Sequence, residues 1–227
     1  RASPYLRQVL SSFGVVWSRS RLMRLAPHAQ VPEHADASYH WFSRVRLHIP
    51  VITRPEVRFH CDGVDVHMAA GEAWVFDNWR RHHVDNPTDD ARIHLVADTT
   101  GTAAFWQYVV QSEHARGVRT IAYQPGVEAQ LATERVSPRP VMPPAEVELL
   151  LNDLVTELTV ADSVPEAAQH LSRYAGLLNG FCLDWRQLYL AYGEDPTGAR
   201  QYGELVESLR AATKAIAHGL VMQTNHV

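Results

Sequence analysis

Residues 15–98 read as a succession of short extended segments, and that pattern restricts the fold more than anything else in the chain. Gly, Pro, Asn and Asp punctuate the segments. Residues 15–25, 45–53, 72–76 and 93–98 carry strand-type composition, and 57–61 with 64–68 form a hairpin around Asp62-Gly63. Pro27 and Pro32 bracket a loop that should deliver His34 at the start of a strand. Val45, Leu47 and Ile49 alternate with Arg46 and His48, the period of a half-buried strand. Many short strands with such punctuation close most economically as a jelly-roll barrel. A short lead-in helix is expected over 5–13.

The charged and imidazole side chains on these segments have a chemistry in common. His34 and Asp36 are two residues apart, so on an extended segment both face the same way while Ala35 faces the other. Two imidazoles and one carboxylate can hold a ferrous ion by one face and leave the opposite positions for a bidentate ligand and O2. The third ligand has to come from a separate strand, and His82 is placed to supply it, with His83 beside it as the competing inward residue. Arg92 shares a face with His94, Val96 and Asp98, and its guanidinium is suited to the far carboxylate of an oxo-acid. In a chain with 13 histidines a lone HxD pair is a common accident. The ordered set HxD, His, Arg on separate strands is not. An oxygenase that halogenates needs the carboxylate position vacant, so Asp36 argues for hydroxylation.

The same residues resemble a known family. Arg21-Leu22-Met23-Arg24-Leu25, Pro32-Glu33-His34-Ala35-Asp36, the run from Arg44 to Pro50, the run from Gly71 to Asp77, His82 and the run from Arg92 to Asp98 are similar to the aspartyl/asparaginyl β-hydroxylases. These are Fe(II)- and 2-oxoglutarate-dependent dioxygenases on a cupin-like double-stranded β-helix. A more distant similarity is to proline 3-hydroxylases, which add a C-terminal helical region. The resemblance covers roughly residues 20–100. It implies His34, Asp36 and His82 as iron ligands and Arg92 as the anchor of the 2-oxoglutarate C5 carboxylate. It also implies that Arg46 and His48 point into the barrel beside the co-substrate. Where some members have a serine eleven residues before the metal pair, this chain has Met23, so a hydroxyl contact there does not carry over.

Beyond residue 125 the texture changes. Pro138, Pro140, Pro143 and Pro144 mark a linker, and Val147, Leu150, Leu151, Leu154 and Leu158 have helical spacing. Ser163-Val164-Pro165-Glu166 has the form of a capping box for a second helix, and a third is expected over 201–217. Tyr174, Phe181, Trp185, Tyr189 and Tyr192 read as a packing stripe, against the barrel or a partner. The expected division is an oxygenase barrel over 1–125, a linker over 126–144 and a helical region over 145–227.

Charge narrows the partners. Residues 1–125 hold 14 Arg and no Lys against 12 acidic residues, within a chain of net charge -4. A mildly positive front half suits anionic small molecules, and no basic stripe with interleaved aromatics points to nucleic acid. No apolar run suits a membrane span and no signal-peptide pattern opens the chain. Cys61 and Cys182 lie far apart without metal-site spacing and read as free thiols, which favours the cytoplasm.

The expected activity is hydroxylation of a C–H bond in an amino-acid-type substrate, free, peptidyl or carrier-tethered, with release of succinate and CO2. A proline-type amino acid is the alternative substrate. A non-catalytic 2-oxoglutarate sensor could keep the same residues, whereas a cupin-like isomerase or sugar enzyme would not need Arg92. A homo-oligomer is compatible with all of these.

Overall fold

A computed structural model describes residues 3–36, 38–113, 120–136, 139–161 and 163–222. The chain divides into two compact units, Arg1–Ser137 and Pro138–Val227.

The first unit opens with α1 (Pro4–Ser11), whose proline occupies the first turn, where a missing N–H costs nothing. Eight strands follow: β1 (Ser20–Leu25), β2 (Ala29–His34), β3 (Val45–Ile52), β4 (Arg58–Cys61), β5 (Val64–Val66), β6 (Trp74–Val75), β7 (His82–Asn86) and β8 (Arg92–Thr99). They pair antiparallel into two four-stranded sheets, β1-β8-β3-β6 and β2-β7-β4-β5. The fold is a jelly-roll, the double-stranded β-helix of the cupin type. Helix α2 (Ala103–Glu113) follows β8.

Strand parity separates two environments. Leu47 and Ile49 of β3 and Leu95 and Ala97 of β8 turn to the outer side of the first sheet, where Leu10 of α1 and Phe105 of α2 cover them. Burying an aliphatic side chain of this size contributes about 1.5–3 kcal/mol, so the two helices hold the sheet firmly from outside. The alternate residues, Arg46 and His48 on β3 and Arg92, His94 and Asp98 on β8, are all buried and turn the other way. There the second sheet supplies Phe59 and Val84, packed with Val57 and Met68.

Three expectations need correction here. The 27–32 segment is not a loop before a strand: Ala29–His34 is itself β2, and His34 ends it. Pro32 is tolerated because β2 is the edge strand of its sheet, and the register shifts between Val31 and His34 as a bulge absorbs it. Residues 15–18 precede β1 and pair differently, Trp17 bridging to Thr133. Residues 126–134 belong to the first unit: Trp17 and Ala132 share a backbone hydrogen bond, and Arg44 forks onto Glu134 at 2.9 and 3.1 Å.

The second unit contains α3 (Pro144–Glu157), β9 (Leu158–Val160), α4 (Ala167–Tyr192), α5 (Ala199–Ile216) and β10 (Leu220–Met222), with β9 and β10 paired antiparallel. Its core is Val147, Phe181, Trp185 and Tyr202, and Trp185 Nε1 donates to the Met142 carbonyl at 2.9 Å. Phe181, Trp185 and Tyr192 of the aromatic stripe therefore pack inside their own unit. The expected capping box does not form: α4 begins after Glu166, which has helical φ/ψ and makes no side-chain cap. A backbone turn, Ala167 N–H to Val164 carbonyl, leads in instead.

Candidate active site

The antiparallel ladder of β2 and β7 places His34 directly opposite His82, with ring centroids 4.3 Å apart. Asp36 follows two residues on, its Oδ1 4.0 Å from His34 Nε2. Donor atoms of His34, Asp36 and His82 all lie within 4.8 Å of one another. His82 faces inward, buried, while His83 lies on the outer face with a neighbouring set of its own.

Each of the three is oriented by a second group. His34 Nδ1 donates to the Pro32 carbonyl and His82 Nδ1 to the Arg80 carbonyl, both at 2.8 Å. With the proton fixed on Nδ1, each imidazole offers the lone pair of Nε2, the form that binds a metal. Burial also pushes the His82 pKa down, favouring the neutral ring, although its bond to the Arg80 carbonyl acts in the opposite direction. Asp36 has one oxygen committed: Oδ2 accepts from Arg46 Nη1 at 3.3 Å and from Asn78 Nδ2 at 3.1 Å. Oδ1 is left to face His34. Two neutral imidazoles and a carboxylate with one directed oxygen are the donor set that suits non-haem ferrous iron.

Behind this set lies a buried polar interior. Arg46 and Asp98 are register partners on β3 and β8, and Arg46 Nε donates to Asp98 Oδ1 at 3.1 Å. His40 Nε2 reaches the other Asp98 oxygen at 3.3 Å, and the Arg46 guanidinium stacks 4.4 Å over the Trp41 ring. Arg46 is thus held by Asp98 and holds Asp36. His48 is buried with neither ring nitrogen hydrogen-bonded, and burial, reinforced by the nearby charges of Arg92 and Arg46, pushes its pKa well down and favours the neutral ring.

Arg92 is 4% exposed, and among the described residues no carboxylate lies within 4.0 Å of it. Its Nη2 donates to His94 Nδ1 at 2.9 Å, but Nε has no partner. Burial lowers its pKa to about 10, so it stays charged at neutral pH, and His94 is pushed down to about 3 by burial and by Arg92. A cavity of about 10 Å³, room for roughly one water, lies against Arg92, His94, Thr53, Phe59 and Met68. Thr53 Oγ1 and His94 Nε2 are likewise unpartnered.

Of the six residues singled out from sequence, His34, Asp36 and His82 form one cluster, Arg46 is bonded to it, and His48 and Arg92 lie in the same barrel interior. The sequence reading gave Asn78 no role, and it named Asp98 and His94 only as face-mates of Arg92. The signal for Asp98 was its place in that alternating run. Asn78 is on irregular backbone, where no periodicity points at it.

Fold and site together define a jelly-roll protein with a two-histidine, one-carboxylate cluster that runs from exposed His34 to buried His82. The model of the aspartyl/asparaginyl beta-hydroxylase family matches residues 1–101, so most of the first unit is similar to that family. No protein of curated function matches the chain. Similar solved structures include a cupin 2 conserved barrel domain protein from Salinispora arenicola CNS-205, at 22% identity, covering 41% of this chain and 70% of that one, TM-score 0.29. A salicylate 1,2-dioxygenase from Pseudaminobacter salicylatoxidans matches at 21% identity, covering 40% and 23%, TM-score 0.30. A protein from Thermotoga maritima described as a predicted oxalate decarboxylase matches at 21% identity, covering 35% and 64%, TM-score 0.29. The chain spans less than two thirds of the length of these last two. The barrel is defined by its strand pairing, independently of such likenesses.

Proposed function

We propose that the protein is an Fe(II)- and 2-oxoglutarate-dependent hydroxylase of an amino-acid-type substrate. The observation that carries the co-substrate is Arg92: a buried guanidinium, unmatched by any carboxylate among the described residues, in the same barrel as the three metal donors. A buried charge without a counter-charge is costly, and a dicarboxylate that reaches from the iron to Arg92 would offset that cost by a charge-assisted pair. The cavity beside Arg92 holds about one water, so entry of a carboxylate requires its lining to yield, and Met68 is the most adaptable of the side chains there. Methionine, unbranched and flexible, is suited to that.

Iron bound at His34, Asp36 and His82 would supply the activation of O2 that couples oxidative decarboxylation of the co-substrate to hydroxylation, releasing succinate and CO2. The chain's own residues do the positioning. Pro32 and Arg80 carbonyls hold the two imidazoles in the ligating tautomer, and Arg46 with Asn78 fixes the carboxylate. His48, kept neutral, can donate to or accept from a co-substrate oxygen without adding charge. Phe59 and Phe76 pack on His82 and exclude water from its inner side. A reducing compartment, in which ferrous iron persists, suits such an enzyme.

The test is an anaerobic titration of Fe(II) and 2-oxoglutarate into wild type and Arg92→Ala, followed by a screen of amino-acid and peptide substrates for succinate release. Losing a buried charge-assisted contact costs roughly 2–5 kcal/mol, so the 2-oxoglutarate Kd should rise about thirty- to several-thousand-fold with iron affinity little changed. Equal 2-oxoglutarate affinity in the two proteins would overturn the assignment. Tight binding without succinate release by any substrate would make the protein a sensor.

A further inference from the structure

The second sheet carries another set of metal-ligating side chains on its outer face, independent of the oxygenase reading. His60 on β4 and His83 on β7 are register partners, and period 2 turns both away from the interior that Phe59 and His82 face. Their imidazoles stack with centroids 4.0 Å apart and 8° between the planes, so a turn of one ring about its Cβ–Cγ bond would bring both Nε2 lone pairs onto one ion. Asp85, two residues along β7, brings Oδ2 to 3.3 Å from His60 Nε2 and 3.7 Å from His83 Nε2. One donor atom from each of the three lies within 4.8 Å of the others. Asp65, on β5, hydrogen-bonds His60 Nδ1 from the other side of the ring.

Donors about 2.0–2.1 Å from a tetrahedral zinc ion stand roughly 3.3–3.5 Å apart, close to the spacing Asp85 keeps from the two imidazoles. Asp65 fixes the His60 proton on Nδ1, the carboxylate–histidine–metal arrangement that orients a ligating ring. His60 Nε2 faces the Asp85 carboxylate at 3.3 Å, a separation that a cation bound to both would span. The side chains are part exposed, 23% for His60, 34% for His83 and 42% for Asp85, so an ion has a path from solvent.

We propose that His60, His83 and Asp85 form a second metal site, for a borderline divalent cation of the Zn2+ class, with Asp65 positioning His60 and water completing the shell. Two imidazoles select against Mg2+ and Ca2+, which prefer oxygen donors. The ion would tie β4 to β7 across the outside of the sheet.

Zinc alone, titrated calorimetrically into chelator-treated full-length protein, tests this. Wild type should bind two equivalents, one at each site, and His60→Asn or Asp85→Asn should reduce this to one. In a His34→Ala/His82→Ala background one equivalent should remain, and adding His60→Asn should weaken it at least tenfold. Cobalt bound in that background should give the intense visible absorption of a tetrahedral site, and excess Mg2+ should not displace it. Wild-type stoichiometry of one that is unaffected by His60→Asn, or folded inner-site variants that take up no zinc, would overturn the proposal. Because the stoichiometry of the intact protein is read separately, a misfolded double variant does not decide the matter.

Discussion

Asn78, 2% exposed, links both parts of the candidate centre through one amide. Its carbonyl oxygen accepts from the Arg46 backbone N–H at 3.2 Å, its Nδ2 donates to Asp36, and its own backbone carbonyl accepts from the Asp36 N–H at 2.9 Å. Asn78→Ala should therefore loosen Asp36 without touching a donor atom, and loss of such an orienting partner typically costs 10–100-fold in metal affinity. Anaerobic Fe(II) titration measures this; unchanged affinity would mean that Arg46 alone suffices to hold the carboxylate. The contrast with Arg92 explains what sequence could disclose at this scale. Arg92, Arg46 and His48 lie on regular strands, where alternation tells which way a side chain turns. Asn78 acts from an irregular segment, and its neighbours are set by tertiary closure that leaves no mark on local spacing.

At the scale of elements, legibility followed strength of pattern. β3 and β8 alternate strictly and were anticipated closely, and the β4–β5 hairpin was marked by Asp62-Gly63, whose φ values of 51° and 75° demand residues tolerant of the left-handed region. Gly63→Ala should cost about 1 kcal/mol in the stability of this unit, read as a lowered denaturation midpoint with unchanged slope. The short strands β9 and β10 were not anticipated, and two larger elements, β2 and α2, escaped as well. β2 contains Pro32, which normally argues against a strand and is accommodated here only by an edge position and a bulge. α2 is rich in aromatic and β-branched residues, Phe105, Trp106, Tyr108, Val109 and Val110, whose preference is for strands; packing of Phe105 onto the first sheet prevails over that preference. In the second unit, Gly198 marks a close approach. A Cβ there would stand 2.6 Å from Tyr192 Cβ, so Gly198→Ala should destabilise the α4–α5 junction by about 1–3 kcal/mol, measurable by chemical denaturation.

Over the whole molecule, the two units should respond differently to acid. His94, 1% exposed, has its pKa pushed down to about 3, and burial keeps that of His48 well below 6.5. The unfolded chain takes up these protons as pH falls through about 6.5, while the folded barrel does not, so stability is present above that pH and drains away below it. His94 alone should remove about 1.4 kcal/mol between pH 7.5 and 5.5, and His48 adds to the loss. The described histidines of the second unit, His170 and His218, are not among the buried residues. Hydrogen exchange of the metal-free protein at the two pH values should show barrel-core amides losing protection and the α4 core keeping its own; equal losses would contradict this. The pairing of β2 with β7 has a further consequence for how the chain comes together. His34 opposes His82 in register, and period 2 means that a slip of one residue would turn His82 outward and bring His83 in its place. A misaligned ladder would present the wrong imidazole beside His34 and break the donor set. Iron uptake would then act as proofreading of assembly, rewarding only those barrels whose strands have closed in step.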